Sequence, residues 1–188
     1  MKILLCLLLS LTSSLALAAD PRVELKTSKG SIVLELYPEK APRSVANFLQ
    51  YVKDGHYNGV LFHRVIDGFM IQTGGFDNQF QQKPTRPPIQ NEADNGLPND
   101  RYTVAMARTP GAHTASAQFF INTVDNTMLN FKSRTDSGYG YAVFGKVLSG
   151  TDVVDRIAKV KTGRMGPFAD VPVEPVVLES ATLLNPQQ

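Results

Sequence analysis

The chain has 188 residues, enough for one well-buried domain and short for two. Its 19 basic and 17 acidic residues give a net charge of +2, so no charge excess indicates nucleic acid or an anionic membrane as a partner. A single cysteine, Cys6, excludes a disulfide within the chain and a multi-cysteine metal site.

Residues 1–18 have the pattern of a secretory signal peptide. Lys2 precedes a short apolar run that ends in the small-residue boundary Ala16-Leu17-Ala18. The run is too short to cross a bilayer, so it does not predict a membrane span. We expect cleavage after Ala18, with Ala19 as the alternative, and a single mature domain over residues 19–188.

The position of Cys6 bears on where the mature protein is found. It lies at the start of the apolar run rather than at its end, which does not favour a lipid anchor. Cleavage would remove this only cysteine and lower the net charge to +1 by removing one lysine. Export without disulfides is typical of a bacterial periplasm, which is the predicted location, with no membrane attachment after cleavage.

The mature chain begins with a predicted hairpin and helix. Residues 23–27 and 32–36 alternate between apolar and polar side chains around Lys29-Gly30, a pattern typical of two paired strands. A helix is predicted at about 41–54, because Pro42 suits a first helical turn and apolar residues recur at spacings of three and four. Its apolar face is expected to cover one open end of a sheet.

The stretch 62–76, FHRVIDGFMIQTGGF, surrounds one arginine and one glutamine with apolar residues and glycines. It predicts two short strands joined by a two-residue turn at Asp67-Gly68, because glycine adopts the positive φ that such a turn needs. If the faces coincide, the period of two places Arg64 beside Gln72 on an apolar surface. The alternative is a buried hairpin whose arginine only extends to water.

The second half of the chain predicts further strands and one helix. Residues 78–100 are rich in Gln, Asn and Pro without periodicity, which indicates a long surface loop within one domain. A second helix is expected to begin at Thr151 and to end before Gly163. The remaining predicted strands are 102–107, 118–122, 141–147 and 173–184. The whole pattern favours one mainly β domain, best satisfied by a closed antiparallel barrel.

Residues 62–74 closely resemble a signature of the cyclophilins, the cyclosporin-binding class of peptidyl-prolyl cis-trans isomerases. Met106-Ala107, AQFFI at 117–121 and VFGKV at 143–147 follow in the family's order. The resemblance runs from about residue 23 to residue 184 and is greatest to the periplasmic bacterial branch. It implies a closed eight-stranded antiparallel β-barrel capped by two α-helices.

The resemblance implies an isomerase that accelerates rotation about Xaa-Pro bonds while exported proteins fold, with no cofactor and no metal. The barrier of roughly 20 kcal/mol is the loss of amide resonance on twisting. In the twisted amide the prolyl nitrogen regains a lone pair, and a guanidinium is a suitable donor to it. Arg64 and Gln72 are therefore the predicted catalytic residues.

The resemblance also assigns substrate contacts. The predicted apolar walls of the proline pocket are Phe69, Met70, Phe120 and Leu129. Gln118 would orient the substrate or Arg64, while Ala107, Arg108 and Thr109 would line the peptide groove. The family often has Asn in place of Arg108, which leaves the role of this side chain open. Proline-containing polypeptides are the expected partners of a monomeric protein.

Two further departures concern the pocket rim. Many eukaryotic cyclophilins have Trp where this chain has Met128, and His where it has Tyr141. Tyr141 can still form a wall and offer a hydroxyl, so it is kept as a substrate contact. Met128 offers no N–H donor, so cyclosporin is expected to bind weakly.

Other catalytic residue types do not form a convincing site. His113 and Ser116 lack a Gly-x-Ser-x-Gly elbow and an evident orienting acid, and the three histidines lie far apart without cysteines. His63 lies out of phase with Arg64, which predicts a structural role. Glu92 and Asp94 are interpreted as solvated charges.

Two other classes of function compete with an isomerase. One is a noncatalytic module that binds or holds proline-containing peptides on the same barrel. The other is an unrelated ligand-carrying barrel, which would need a larger apolar lumen. The combination of Arg64 with Gln72 favours catalysis.

Overall fold

Eleven strands and two α-helices lie within residues 20–185, the part of the chain that the computed structural model describes. The strands are β1 (Arg22–Thr27), β2 (Gly30–Leu36), β3 (Val60–Leu61), β4 (Arg64–Ile66), β5 (Met70–Thr73), β6 (Thr103–Met106), β7 (Phe119–Asn122), β8 (Val143–Ser149), β9 (Thr162–Met165), β10 (Phe168–Pro172) and β11 (Val177–Leu184). The helices are α1 (Pro42–Lys53) and α2 (Thr151–Ala158). The predicted signal peptide at 1–18 lies outside the described residues.

Nine strands form one antiparallel sheet in the order β3-β11-β1-β2-β8-β6-β7-β5-β4. The edge strands β3 and β4 are separated in the chain only by Phe62 and His63, so the sheet curls until its two ends adjoin at this bend. Counted as one bent strand, β3 and β4 give the eight strands expected from the sequence. The mainly β fold with two helices is confirmed, although the ladder is interrupted at the bend.

The two helices pack on different strands of the sheet. Helix α1 contacts β11 and inserts Phe48, whose ring lies 5.2–5.3 Å from the rings of Tyr57, Phe119 and Phe144. Helix α2 contacts β2, β4 and β5 through a buried apolar stripe that includes Val154. Both helices are short, so this tertiary burial rather than helix propensity stabilises them.

The structure differs from the predicted elements at two hairpins and at the start of the last strand. The turn between β4 and β5 has three residues, because Ile66 pairs with Met70 and Gly68 adopts a φ of +69°. The hairpin of β9 with β10 was missed, since its Gly-Arg-Met-Gly-Pro sequence does not alternate. Strand β11 begins at Val177 rather than at 173, after Pro175, which has no N–H for a ladder.

Glu92, from the long loop 78–100, caps the N-terminus of α1. Its carboxylate accepts hydrogen bonds from the backbone N–H groups of Arg43 (3.0 Å) and Ser44 (2.8 Å) and from the Ser44 hydroxyl (2.8 Å). A carboxylate there satisfies otherwise unpaired donors and complements the positive end of the helix dipole. The interpretation of Glu92 as a solvated charge was wrong, whereas Asp94 forms a surface pair with Arg134 at 3.0 Å.

Substitution of Glu92 by alanine is expected to lower the free energy of unfolding by about 2 kcal/mol, the upper range for a lost helix cap. Asp94→Ala, in the same loop, should cost at most about 1 kcal/mol, because it breaks only an exposed ion pair. Urea denaturation of both variants measures the difference. Equal losses would show that Glu92 does not act as a cap.

Candidate active site

Strand register places the predicted catalytic residues in one row. Arg64 on β4 pairs directly with Gln72 on β5, and Gln72 pairs with Phe120 on β7. Directly paired residues share a face of the sheet, so a guanidinium, an amide and an aromatic ring stand side by side. Arg64 and Gln72 therefore share one face of the sheet, as expected for the case in which the faces of the two strands coincide.

These residues border a pocket of about 210 Å³. The side chains that line it are Arg64, Phe69, Met70, Gln72, Ala107, Arg108, Phe120, Leu129 and Tyr141. The volume is below the roughly 300–1,000 Å³ typical of drug-sized ligands, so the pocket suits one small ring. Nine predicted site residues thus come together.

Three predicted contacts lie outside this lining. Gln118 accepts a 2.8 Å hydrogen bond from the Gln72 amide through its side-chain oxygen. Thr109 is exposed, with its backbone N–H bonded to the Thr114 hydroxyl at 3.0 Å. Met128 is 62% exposed and precedes the pocket residue Leu129 in a short 3-10 turn.

Arg64 keeps most of its donors free. Its guanidinium is exposed, and its only side-chain hydrogen bond within residues 20–185 joins Nη1 to Oε1 of Gln72 at 3.5 Å. That distance is beyond the usual 2.7–3.2 Å or so of a good N–H···O bond. The Gln72 amide is instead fixed by Gln118, so an oriented amide oxygen and a weakly engaged guanidinium face the pocket.

The apolar side of the pocket rests on its own small core. Met70 and Phe120 are buried with Ala105 and Val143, and Tyr141 packs against this group. The Phe120 and Tyr141 rings meet edge to face, with centroids 5.7 Å apart. This geometry is favourable for aromatic pairs and fixes two walls.

Arg108 joins two loops at the far side of the pocket. Its Nε donates to the Gly140 carbonyl at 2.8 Å and its Nη2 to the Asp136 carbonyl at 3.0 Å, while Nη1 bonds carbonyls of its own loop. The guanidinium carbon lies 4.8 Å from the centroid of the Tyr141 ring. These contacts connect the loop of Arg108 with the loop of Asp136 and Gly140, and Arg108 also lines the pocket.

His63 directly precedes β4 and is buried. It is 6% exposed, its ring is 4.7 Å from that of Phe76, and its Nδ1 has no hydrogen-bond partner among the described residues. Burial lowers the pKa of His63 to about 4. The ring is therefore neutral at pH 7, in agreement with the predicted structural role.

Sequence reasoning missed three buried asparagines behind the pocket, Asn99, Asn122 and Asn126. One signal was available, because Asn122 follows Phe120 at a spacing of two and so shares its face of β7. The other two lie in loops, where no periodicity indicates burial.

Residues 20–185 contain neither a candidate metal-binding cluster nor a helix that could span a membrane. No group of three His, Cys, Asp or Glu side chains there could hold a metal ion. No helix in the same range is long and apolar enough to cross a membrane.

The fold and site define a curled antiparallel β-barrel with a small pocket that is lined by apolar side chains, two arginines and a glutamine. The family described as cyclophilin type peptidyl-prolyl cis-trans isomerase/CLD matches residues 22–183. The chain therefore belongs to the cyclophilin-type peptidyl-prolyl cis-trans isomerases, and the predicted enzyme class is confirmed.

Bacterial relatives agree with the bacterial branch of the family. Peptidyl-prolyl cis-trans isomerase cyp18 of Streptomyces antibioticus is 63% identical over 163 residues, which cover 87% of this chain and 98% of the relative. Peptidyl-prolyl cis-trans isomerase B of Escherichia coli K12 is 54% identical over 161 residues, covering 86% of this chain and 98% of the relative.

A solved structure supports the fold. The cyclophilin type isomerase of Cryptosporidium parvum, crystallised in the presence of the dipeptide Ala-Pro, superimposes with a TM-score of 0.72. It is 23% identical, and the match covers 88% of this chain and 99% of that chain.

Proposed function

We propose that this enzyme accelerates rotation about Xaa-Pro bonds through a hydrogen bond from Arg64 to the prolyl nitrogen of the twisted amide. The observation that carries the proposal is the exposed Arg64 guanidinium in a pocket of single-ring size that has apolar walls on one side. The planar amide nitrogen accepts no hydrogen bond, so the proposed bond exists only on the way over the barrier. An interaction of this kind raises turnover rather than only tightening binding.

The remaining pocket residues would hold the substrate while the bond rotates. Met70, Phe120 and Leu129 offer apolar contact to the proline ring. The Gln72 amide, fixed by Gln118, is a polar partner for the substrate backbone. The Ala-Pro dipeptide used with the Cryptosporidium parvum relative supports a small prolyl peptide as the ligand of this pocket.

The direct test is exchange of an Ala-Pro-containing peptide between cis and trans, followed by two-dimensional NMR. Acceleration by catalytic amounts of protein, unchanged by a metal chelator, is expected. Peptide binding without acceleration would instead favour the noncatalytic binding module. Activity abolished by the chelator would contradict the proposed chemistry.

We further propose that the mature protein acts on exported polypeptides in the periplasm, as a monomer without nucleic acid or membrane attachment. Support comes from the signal-peptide pattern of residues 1–18 and the small net charge. Intact-mass measurement of the periplasmic fraction should give a chain that begins at Ala19 or Asp20. A retained Met1, or a lipid mass on Cys6, would contradict the proposal, and size exclusion chromatography tests the monomer.

Cyclosporin is expected to inhibit weakly. Met128 is an exposed apolar side chain beside the pocket residue Leu129 and offers no N–H donor. Loss of one neutral hydrogen bond costs about 1 kcal/mol, and reduced apolar contact adds to this, so binding should be about tenfold weaker or more than with tryptophan there.

Titration of cyclosporin against the native protein and Met128→Trp measures this difference. The variant should gain affinity while prolyl-peptide turnover stays within about twofold. Met165→Trp, at a 49% exposed methionine of β9 outside the pocket lining, is the matched control. Tight inhibition of the native protein would contradict the prediction.

A further inference from the structure

Three buried asparagine side chains form a continuous chain of hydrogen bonds behind the proline pocket. Asn99, Asn122 and Asn126 are each at most 1% exposed. The Asn126 amide donates to Oδ1 of Asn122 at 2.7 Å, and the Asn122 amide donates to Oδ1 of Asn99 at 3.2 Å. We call these three residues the asparagine relay.

The ends of the asparagine relay hold the main chain of three pocket walls. At one end, Nδ2 of Asn126 donates to the carbonyl of Phe69 at 2.8 Å. At the other end, Nδ2 of Asn99 lies 3.2 Å from the carbonyls of both Leu129 and Tyr141. The walls come from separate segments of the chain, and the relay is a polar connection among all three.

The direction of the relay is fixed by chemistry. The carbonyl of Phe69 can only accept, so Asn126 must present its NH₂ group there, and the same group reaches Asn122. The Phe69 carbonyl also accepts from the Thr123 backbone N–H at 3.0 Å, so loss of the Asn126 donor would leave Oδ1 of Asn122 as the unpaired acceptor, at a site where water is excluded. The relay therefore has one favourable arrangement, in which it connects the carbonyl of Phe69 with those of Leu129 and Tyr141.

We propose that Asn99, Asn122 and Asn126 are positioning residues that set the width of the proline pocket and so determine affinity for the prolyl ring. None of them lines the pocket, so they act through the walls and not on the substrate. The inference rests on the proposed function, because it assigns the prolyl ring to this pocket. It differs from the role of Arg64, since wall spacing affects planar and twisted substrate alike.

The test is Asn126→Asp, which keeps the shape and replaces the NH₂ donor by an acceptor. KM for an Ala-Pro peptide should rise about tenfold or more with kcat within about threefold of native. Asn47→Asp is the matched control, because the Asn47 amide also donates to a carbonyl, that of Ser116 at 2.6 Å, outside the relay. Its KM should change by less than about twofold.

A readout independent of turnover separates this proposal from the proposed function. In ¹³C-methyl NMR spectra without substrate, the Leu129 signals should shift in Asn126→Asp and remain in place in Asn47→Asp. If native protein lacks isomerase activity but these shifts occur, the proposed function is wrong, whereas the positioning of the pocket wall by the asparagine relay is supported.

A milder variant decides the case in which Asn126→Asp does not fold. Thr103→Val removes the hydroxyl that accepts a 2.9 Å hydrogen bond from Asn122, and it should raise KM about threefold and move the same methyl signals. Unchanged KM and unchanged Leu129 signals in a folded relay variant would overturn the proposal. A fall in kcat at constant KM would overturn it equally.

Discussion

Replacement of Arg64 by alanine is expected to reduce kcat for prolyl isomerisation by roughly a hundredfold to a thousandfold, the usual effect of removing one preorganised donor to a transition state. Affinity for the planar peptide should change by less than about threefold. The reason is that the apolar walls remain and the planar nitrogen accepts no hydrogen bond. NMR exchange rates give turnover, and a peptide titration gives binding.

Two further variants locate the effect in the guanidinium. Arg64→Lys keeps the positive charge but loses the planar fork of donors, so it should recover only part of the lost turnover. Arg164→Ala removes an exposed arginine of β9, which is outside the pocket lining, and should retain native turnover. Native turnover in Arg64→Ala would exclude Arg64 from the mechanism.

Acidification is expected to destabilise the protein through His63. Because burial lowers its folded-state pKa from 6.5 to about 4, the unfolded chain binds more protons between these values. The contribution of His63 is fully present above pH 6.5 and falls as the pH drops towards 4. The loss should be about 2 kcal/mol between pH 7.5 and pH 5, and about 3 kcal/mol by pH 4.

Urea denaturation at a series of pH values measures this loss. His63→Phe keeps a ring against Phe76 but cannot titrate, so its stability should vary less between pH 7.5 and pH 5. Burial also lowers the pKa of His56, which leaves a smaller slope of the same sign in the variant. Identical pH profiles for native protein and His63→Phe would refute the assignment.

The central hairpin could be predicted because its information is local. The two strands and the shared face of Arg64 and Gln72 were predicted from alternation, but the exact register was not, because the predicted two-residue turn would pair Arg64 with Ile71 and the observed three-residue turn pairs it with Gln72. Leu129 and Tyr141 could be assigned to the pocket walls only through the family resemblance, because they lie outside regular strands. Tertiary contacts, not periodicity, bring those two residues to the site.

The contacts that the sequence did not predict join residues far apart in the chain. Glu92 caps a helix that begins 50 positions earlier, at Pro42, and Arg108 binds carbonyls at 136 and 140. A charged side chain in a polar loop has the same local pattern whether it is solvated or caps a distant helix. Only the folded arrangement distinguishes the two.

The position of β11 has a consequence for biosynthesis. Strand β1 pairs with β2 on one side and with β11 on the other, so Arg22 lies opposite Leu184. Strand β3 directly precedes the bend at Phe62 and His63. Within the described residues, β3 pairs only with β11. The sheet therefore cannot close until residues 177–184 have left the ribosome, and such long-range pairing forms slowly.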